Sequence, residues 1–297
     1  MYQLITDSSW DMGSERAKKL NIGVVPYYVT FDGNTFLKEE VEQNVRDFYQ
    51  FMVDNPKVYP HTSLPTVDDF ITVFDKYASK GMDIICFTLS SKFSGSFNSA
   101  NIAGTEIMER YPGVRVRVMD TTMATLMQGL FIQELANYRD SGATFEELWD
   151  RAEKIRGTAK IFFTIHGLDY LVHGGRLGKL SAISADILHL RPLILMTNGE
   201  LYSMGLARGR KHSISKICDK LLEYVRENCD DPSQYSFMVG YGYDIEEGHE
   251  LCRYIQYRMK EIWPDASPFI DIGQIGVTIG VHIGPYPLGF GVIRKAI

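Results

Sequence analysis

The feature that most restricts what this chain can fold into is the alternation, through its first half, of short apolar runs with amphipathic stretches. Tyr2–Thr6, Gly23–Phe31, Asp83–Leu89 and Val114–Met119 read as strands from their β-branched, aromatic and continuous apolar content. Helical patterns fall between them: a stretch ending near Leu20, one opened by Thr66 with Asp69, then Ser96–Arg110 and Ala124–Asp140. Thr66 and Asp69 have the spacing of a capping box, Phe70, Val73, Phe74 and Tyr77 recur at helical spacing, and Gly81 marks the stop. Asp32-Gly33-Asn34 is a hairpin turn sequence. A βαβα order of this kind predicts an α/β unit built on a mostly parallel, Rossmann-like sheet with helices on both faces.

A second capping pattern, Thr144 with Glu147, opens a helix to about Arg156, and the rhythm changes after it. We therefore place a boundary there, giving an N-terminal α/β domain at 1–156 and a C-terminal α+β domain at 157–297. In the second part Lys160–Ile165 reads as a strand, and Asn198-Gly199 as a hairpin turn between Pro192–Met196 and Glu200–Leu206. His212–Arg226 and Ile245–Ile262 are amphipathic helices. Strands at Ser236–Tyr241, Phe269–Gln274 and Phe290–Lys295 complete a mainly antiparallel sheet.

Composition narrows the function. The 297 residues are 45% hydrophobic and 23% charged, enough to bury a substantial core. No run approaches the roughly 18 apolar residues of a transmembrane helix, and Met1–Asp7 lacks the basic and long apolar regions of a signal peptide. Four scattered cysteines, Cys86, Cys218, Cys229 and Cys252, form no disulfide framework. A cytoplasmic location is expected. The net charge of −6 disfavours nucleic acid as a partner. The charge is unevenly placed, with −8 over residues 1–150 and +2 over 151–297. Between Arg176 and Lys216 stand Arg176, Lys179, Arg191, Arg208, Arg210, Lys211 and Lys216 against only Asp186 and Glu200. Such a region is either a solvated face or a docking surface for an acidic partner or a phosphate-bearing ligand.

Familiar catalytic motifs fail by small margins. Gly174-Gly175-Arg176-Leu177-Gly178-Lys179 is one residue short of a phosphate-binding P-loop, and His249-Glu250-Leu251-Cys252-Arg253 lacks the second histidine of a zinc protease. Neither Gly240-Tyr241-Gly242 nor Gly289-Phe290-Gly291 continues into a dinucleotide fingerprint. Ser94 has no glycine two residues before it, so it is not a hydrolase nucleophile elbow. No metal or cofactor is expected.

Hydroxyl-rich loops at the ends of the expected strands remain. Thr6-Asp7-Ser8-Ser9 follows the first strand, Ser90-Ser91-Lys92-Phe93-Ser94-Gly95-Ser96 the third, and Asp120-Thr121-Thr122 the fourth. In open parallel sheets ligands bind beyond the carboxyl ends of strands, so these loops should share one crevice. Ser94-Gly95-Ser96 also begins a helix, whose free N–H groups favour an anion. His61-Thr62-Ser63-Leu64-Pro65 adds two more hydroxyls. Each loop on its own also reads as a helix cap or turn, and His282 among apolar neighbours as a hydrogen-bonded core residue. The residues alone reach an anion-binding cleft in a two-domain α/β protein.

Taken together these motifs resemble the DegV family of bacterial fatty-acid-binding proteins. Ile5-Thr6-Asp7-Ser8-Ser9 is similar to the family's opening signature, Thr62-Ser63-Leu64-Pro65 to its Thr-Ser-x-Pro loop, and Ser94-Gly95-Ser96 to its Ser-Gly-Thr loop. Tyr170-Leu171-Val172-His173-Gly174-Gly175-Arg176 resembles its most specific element, and Arg191-Pro192, Gly199, Arg208 and His282-Ile283-Gly284-Pro285 follow in order. The resemblance implies a carrier rather than an enzyme, with a long-chain fatty acid buried between the domains. Its carboxylate would be held by Thr62, Ser63, Ser94 and the backbone at Gly95, with His282 nearby and Asp7, Ser8, Ser9, Ser96 and Asp120 in supporting loops. It also implies a partner, a separate fatty acid kinase that phosphorylates the carboxylate from ATP, met by Arg176, Arg208 and Arg210. The cleft loops hold no arginine, which would leave the carboxylate more reactive than a bidentate guanidinium pair would. Four positions depart from the family pattern: Tyr286 replaces a glycine, Thr121 and Thr125 replace serines, and Ser96 replaces a threonine. Tyr286 is expected to reshape the pocket entrance. Two other readings stay open: a hydrolase using Ser94 with His282 as base and Asp7 or Asp120 behind it, and a carrier of another apolar carboxylate.

Overall fold

The computed structural model describes residues 1–182, 190–266 and 268–297. Four strands, β1 (Tyr2–Asp7), β2 (Ile22–Val25), β6 (Asp83–Thr88) and β7 (Val116–Asp120), form a wholly parallel sheet in the order β2-β1-β6-β7. Both its faces are buried. Ile5, Ile84, Cys86 and Val116 meet Phe70, Phe74 and Ala78 of α3 (Val67–Ala78) and Ala100, Ala103 and Ile107 of α4 (Ser96–Arg110). Their sequence neighbours Leu4, Ile85 and Phe87 point the other way, toward α5 (Thr125–Asp140) and α6 (Phe145–Arg156). This period-two division between two cores explains why the strands read as continuous apolar runs. The helix α1 (Gly13–Lys19) links the first two strands. Both capping boxes form: Thr66 with Asp69 opens α3, and Thr144 with Glu147 opens α6.

The second large sheet has six strands in the order β10-β9-β8-β13-β11-β12. They are β8 (Lys160–Thr164), β9 (Leu190–Thr197), β10 (Glu200–Arg208), β11 (Tyr235–Tyr241), β12 (Ile270–Gln274) and β13 (Leu288–Arg294). Its pairing is mainly antiparallel, as expected, but β11 and β12 run parallel, joined by α9 (Ile245–Met259) as a crossover. The β9–β10 turn places Asn198 at φ 52° and Gly199 at φ 78°, the left-handed pair that a two-residue hairpin needs. One face is covered by α8 (Arg210–Asn228) and α9. The other packs on α5, which is therefore sandwiched between the two sheets and buried nearly all round from Leu126 to Ala136, the polar Gln128 and Glu134 included. The expected boundary at 156/157 falls in the gap between α6 and β8, while Asp186, counted in the basic region, lies outside the described residues.

Several expectations need correction. Gly23–Phe31 is not one strand. It breaks at Pro26-Tyr27 into β2 and β3 (Tyr28–Thr30), which belong to different sheets. Proline supplies no N–H to a ladder, and the Tyr27 backbone bonds elsewhere: its N–H donates to Ser8 Oγ (2.9 Å) and its carbonyl accepts from Glu39 N (2.9 Å). A small antiparallel sheet follows, with β4 (Leu37–Lys38) and β5 (His61–Ser63) flanking β3, so Thr62 and Ser63 lie on a strand rather than a loop. Three helices escaped the sequence reading: α2 (Val45–Asp54), α7 (Asp169–His173) and α10 (Val277–Ile283). The last carries His282. Its N-terminus is held by the buried Glu39 carboxylate, which accepts from Thr278 N (2.9 Å) and Thr278 Oγ1 (2.6 Å).

Candidate functional site

A cavity of about 1240 Å³, its open mouth included, lies between the six-stranded sheet and the first turn of α5, with α10 and loop residues completing its wall. Its walls are mostly apolar, among them Leu89, Leu126, Met127, Ile161, Phe163, Met196, Met238 and Phe290. Eight of the lining residues are polar or charged: Tyr27 is bonded to Ser94, Thr62 to His282, Arg176 is held beside His282 through Gly174, Ser63 follows Thr62, and Thr125 and Thr278 line it as well. Four of the five residues expected at the head group, Thr62, Ser63, Ser94 and His282, are thus brought to one cavity. Gly95, at the N-cap of α4, does not itself line it.

Local bonding orients these groups. Ser94 Oγ accepts from the Tyr27 hydroxyl (2.6 Å) and from Ser96 N (3.2 Å). With its acceptor positions taken, the Ser94 hydrogen is left to donate to something else. Thr62 Oγ1 and His282 Nε2 lie 3.1 Å apart, a hydrogen bond whose direction depends on the imidazole tautomer. The other ring nitrogen, Nδ1, is buried with no partner among the described residues, and it rests against Gly174, where any Cβ would collide with it. Here Gly174 is required for close approach. Burial above all, then Arg176 and His61, pushes the His282 pKa down to about 4, so the imidazole is neutral at pH 7.

Arg176 overturns the expectation of an arginine-free cleft. Its Nε donates to the Phe93 carbonyl (3.1 Å) and its Nη1 to the Gly174 carbonyl (2.6 Å), which pins the guanidinium beside the histidine. The Gly-Gly-Arg run lies after α7, which packs on α10, so contacts distant in sequence bring it to the hydroxyls.

The residues expected in supporting loops are held in buried or local hydrogen bonds. Asp7 is fully buried and accepts four hydrogen bonds: from Ser9 Oγ (2.6 Å), Gln128 Nε2 (2.9 Å), Leu89 N (2.9 Å) and Ser96 Oγ (2.8 Å). It ties the end of β1 to the starts of α4 and α5, and burial raises its pKa against the pull of those donors. Ser8 Oγ donates to Glu39 Oε2 (2.5 Å). Asp120 accepts from Ser91 N (3.2 Å) and Thr122 N (2.8 Å). None of Asp7, Ser8, Ser9, Ser96 and Asp120 lines the cavity. The expected common crevice of three hydroxyl loops is therefore one loop at the cavity and two behind it. A hydrolytic relay is not assembled either, because His282 Nε2 engages Thr62 rather than Ser94, and both aspartates are occupied elsewhere.

Two further positions differ from expectation. Tyr286 does not line the cavity; its ring packs 4.7 Å from that of His166 and 6.2 Å from that of Tyr243. Arg210 is committed to a bidentate pair with Glu247 (2.9 and 2.6 Å), whereas Arg208 is exposed and makes no ion pair among the described residues. Tyr27 is the site residue that sequence reasoning missed. It stood inside what read as one continuous strand, and only the break at Pro26 turns it toward Ser94. Among the described residues no group of three His, Cys, Asp or Glu side chains is placed to hold a metal, and no helix is long and apolar enough to cross a membrane.

A family model described as an uncharacterised protein of the DegV family matches residues 1–295. The chain belongs to the DegV family. A relative from Thermotoga maritima, named fatty acid-binding protein, is 30% identical over 295 residues, covering 98% of this chain and 96% of its own. A DegV domain-containing protein of Clostridium perfringens is 27% identical over 285 residues, 95% of this chain and 94% of its own. Among solved structures, a stearic acid-binding protein from Eubacterium ventriosum superposes with a TM-score of 0.93 at 35% identity, over 100% of this chain and 99% of that one. DegV proteins are thus described as fatty-acid binders, and this member's mixed α/β architecture is theirs.

Proposed function

We propose that this chain binds a long-chain fatty acid between its two domains, residues 1–156 and 157–297, and presents the carboxylate to a separate fatty acid kinase. The observation that carries the reading is a mostly apolar cavity into which hydrogen-bonded polar pairs, Tyr27 with Ser94 and Thr62 with His282, are brought together with Arg176. A buried methylene contributes about 0.8 kcal/mol, so about 15 of them supply on the order of 12 kcal/mol before the costs of binding. The tail then provides affinity and the polar end provides orientation.

In this reading the carboxylate accepts hydrogen bonds from Thr62, Ser63 and Ser94, with the N-terminus of α4 at Gly95 adding a favourable field. Arg176 supplies positive charge, and His282 remains neutral as a hydrogen-bonding neighbour. The kinase transfers the γ-phosphoryl group of ATP to a carboxylate oxygen, giving acyl phosphate and ADP. Arg208, exposed on the basic half, is the better docking group, and Arg210 contributes through its pair with Glu247. The protein itself carries no catalytic group and needs no cofactor. It works in the cytoplasm.

The test is mass spectrometry of the organic extract of purified protein beside its native mass. A stoichiometric fatty acid is expected. A different apolar carboxylate would redirect the reading to that ligand, and an empty protein that takes up no added fatty acid would end it. The kinase step is tested separately, by acyl phosphate formation with ATP and a bacterial fatty acid kinase.

A further inference from the structure

We propose that Met127 sets the length of the acyl chain, and that Gly291 opposite it provides the space in which its side chain lies. The inference rests on the fatty-acid reading above and identifies which acids the cavity admits.

The register of the six-stranded sheet carries it. Met238, Gly291, Ile161, Met196 and Leu201 are successive cross-strand partners on β11, β13, β8, β9 and β10, and all five line the cavity. Directly paired residues share a face, so this row is one strip of the cavity floor, with a gap where Gly291 has no side chain. Met127, near the start of α5, fills that gap from the opposite wall. A Cβ added at Gly291 would collide with Met127 Cε. Beyond Thr164 the chain of β8 continues to α7, which packs on α10 and His282. Ile161 lies three residues in the other direction, about 10 Å away along the strand. The Met127–Gly291 contact therefore stands toward the end of the cavity remote from the polar groups.

Methionine suits this place. It is unbranched and flexible, with a side chain that adapts to irregular space, and Met127 is buried and packed into the apolar core around α5. Shortening it opens cavity volume at the remote end. Adding a methyl group at Gly291 pushes the thioether off the floor and into that volume.

The experiment exposes wild type, Met127→Ala, Met127→Phe, Gly291→Ala and the double variant Met127→Ala/Gly291→Ala to an equimolar series of saturated straight-chain acids. The bound acids are then identified by mass spectrometry. Met127→Ala is expected to move the preferred length up by about two to three carbons, the size of the group removed. Met127→Phe and Gly291→Ala are expected to move it down, and the double variant to return above Gly291→Ala. Unchanged preference in Met127→Ala and Met127→Phe at full occupancy overturns the proposal and leaves fatty-acid binding intact. Shifts of both Met127 variants in the same direction overturn it equally. Absence of bound acid from every protein, wild type included, overturns the underlying reading and the proposal with it.

Discussion

Asp11 offers a demanding test of how the site is supported. It stands at φ 54°, its side chain is buried, and Thr125 and the Gly276 N–H lean toward its carboxylate without completing a well-formed hydrogen bond. Burial first, and the nearby Glu39 carboxylate second, raise its pKa well above the ordinary 3.8. Glu39 is itself raised by burial, against the bonds from Ser8 and Thr278. The two carboxyl groups titrate as a pair in which one proton is strongly held. The native state thus binds more protons than the unfolded chain from pH 3.8 up to the raised value. Over that window stability falls as pH rises, tenfold in the folding equilibrium per pH unit for one proton, or about 1.4 kcal/mol. Asn tolerates the left-handed backbone and removes the charge while sacrificing no formed hydrogen bond. Asp11→Asn should therefore gain stability relative to wild type as pH rises from 5 to 8, at up to about 1.4 kcal/mol for each pH unit over which the excess proton is held. Urea unfolding of both proteins at each pH supplies the comparison, and the histidine contributions cancel in the difference. A difference between the two that stays flat across this range would refute the argument, because no excess proton would then be held in the native state.

Other outcomes follow from single contacts. Ser94→Ala strands the Tyr27 hydroxyl and, under the proposed function, removes a donor to the carboxylate; a loss of roughly tenfold or more in fatty-acid affinity is expected, and unchanged affinity in calorimetry would remove Ser94 from the proposed site. The His282 imidazole, held to about 4 against 6.5 unfolded, contributes stability that is complete above pH 6.5 and is lost as pH falls toward 4. His282→Gln should flatten that acid limb, which thermal melts from pH 4 to pH 7 would reveal. Thr144→Ala breaks the capping box of α6 and should cost about 1 kcal/mol; a melting temperature equal to wild type would contradict the cap's role.

The parallel sheet was legible because its residues obey local rules. Its strands are apolar runs and two of its helices open with capping boxes; in the six-stranded sheet the Asn198-Gly199 hairpin was legible in the same way, from two residues that tolerate positive φ. The misses share a different cause. Nothing local makes Val277–Ile283 helical: it is rich in β-branched residues and contains Gly280. It is helical because Glu39, far away in sequence, holds its first turn, and because Gly280 lets it lie close to Phe48 and Tyr49, 2.7 and 2.9 Å from where a Cβ would stand. Tertiary contact overrides propensity there. The site divides likewise. Thr62, Ser63, Ser94 and His282, singled out by motif, line one cavity. Arg176, read as a docking residue, also lines the cavity, because α7 folds back onto α10. Tyr27 had no signal beyond the proline before it.

The position of β13 has a consequence for how the protein is made. It follows every other strand in the chain, yet it lies inside the six-stranded sheet, between β8 and β11. As the ribosome extends the chain, β8 emerges about 120 residues ahead of β13, an interval of roughly ten seconds at usual rates of synthesis. Through that interval β8 lacks its β13 partner, β11 joins it with an unpaired edge for the last roughly 50 residues of the interval, and His282 is absent until just before β13 is made. A nascent chain is thus exposed to edge-to-edge aggregation until its last strand arrives, and the cavity between the six-stranded sheet and α5 is closed by the same event.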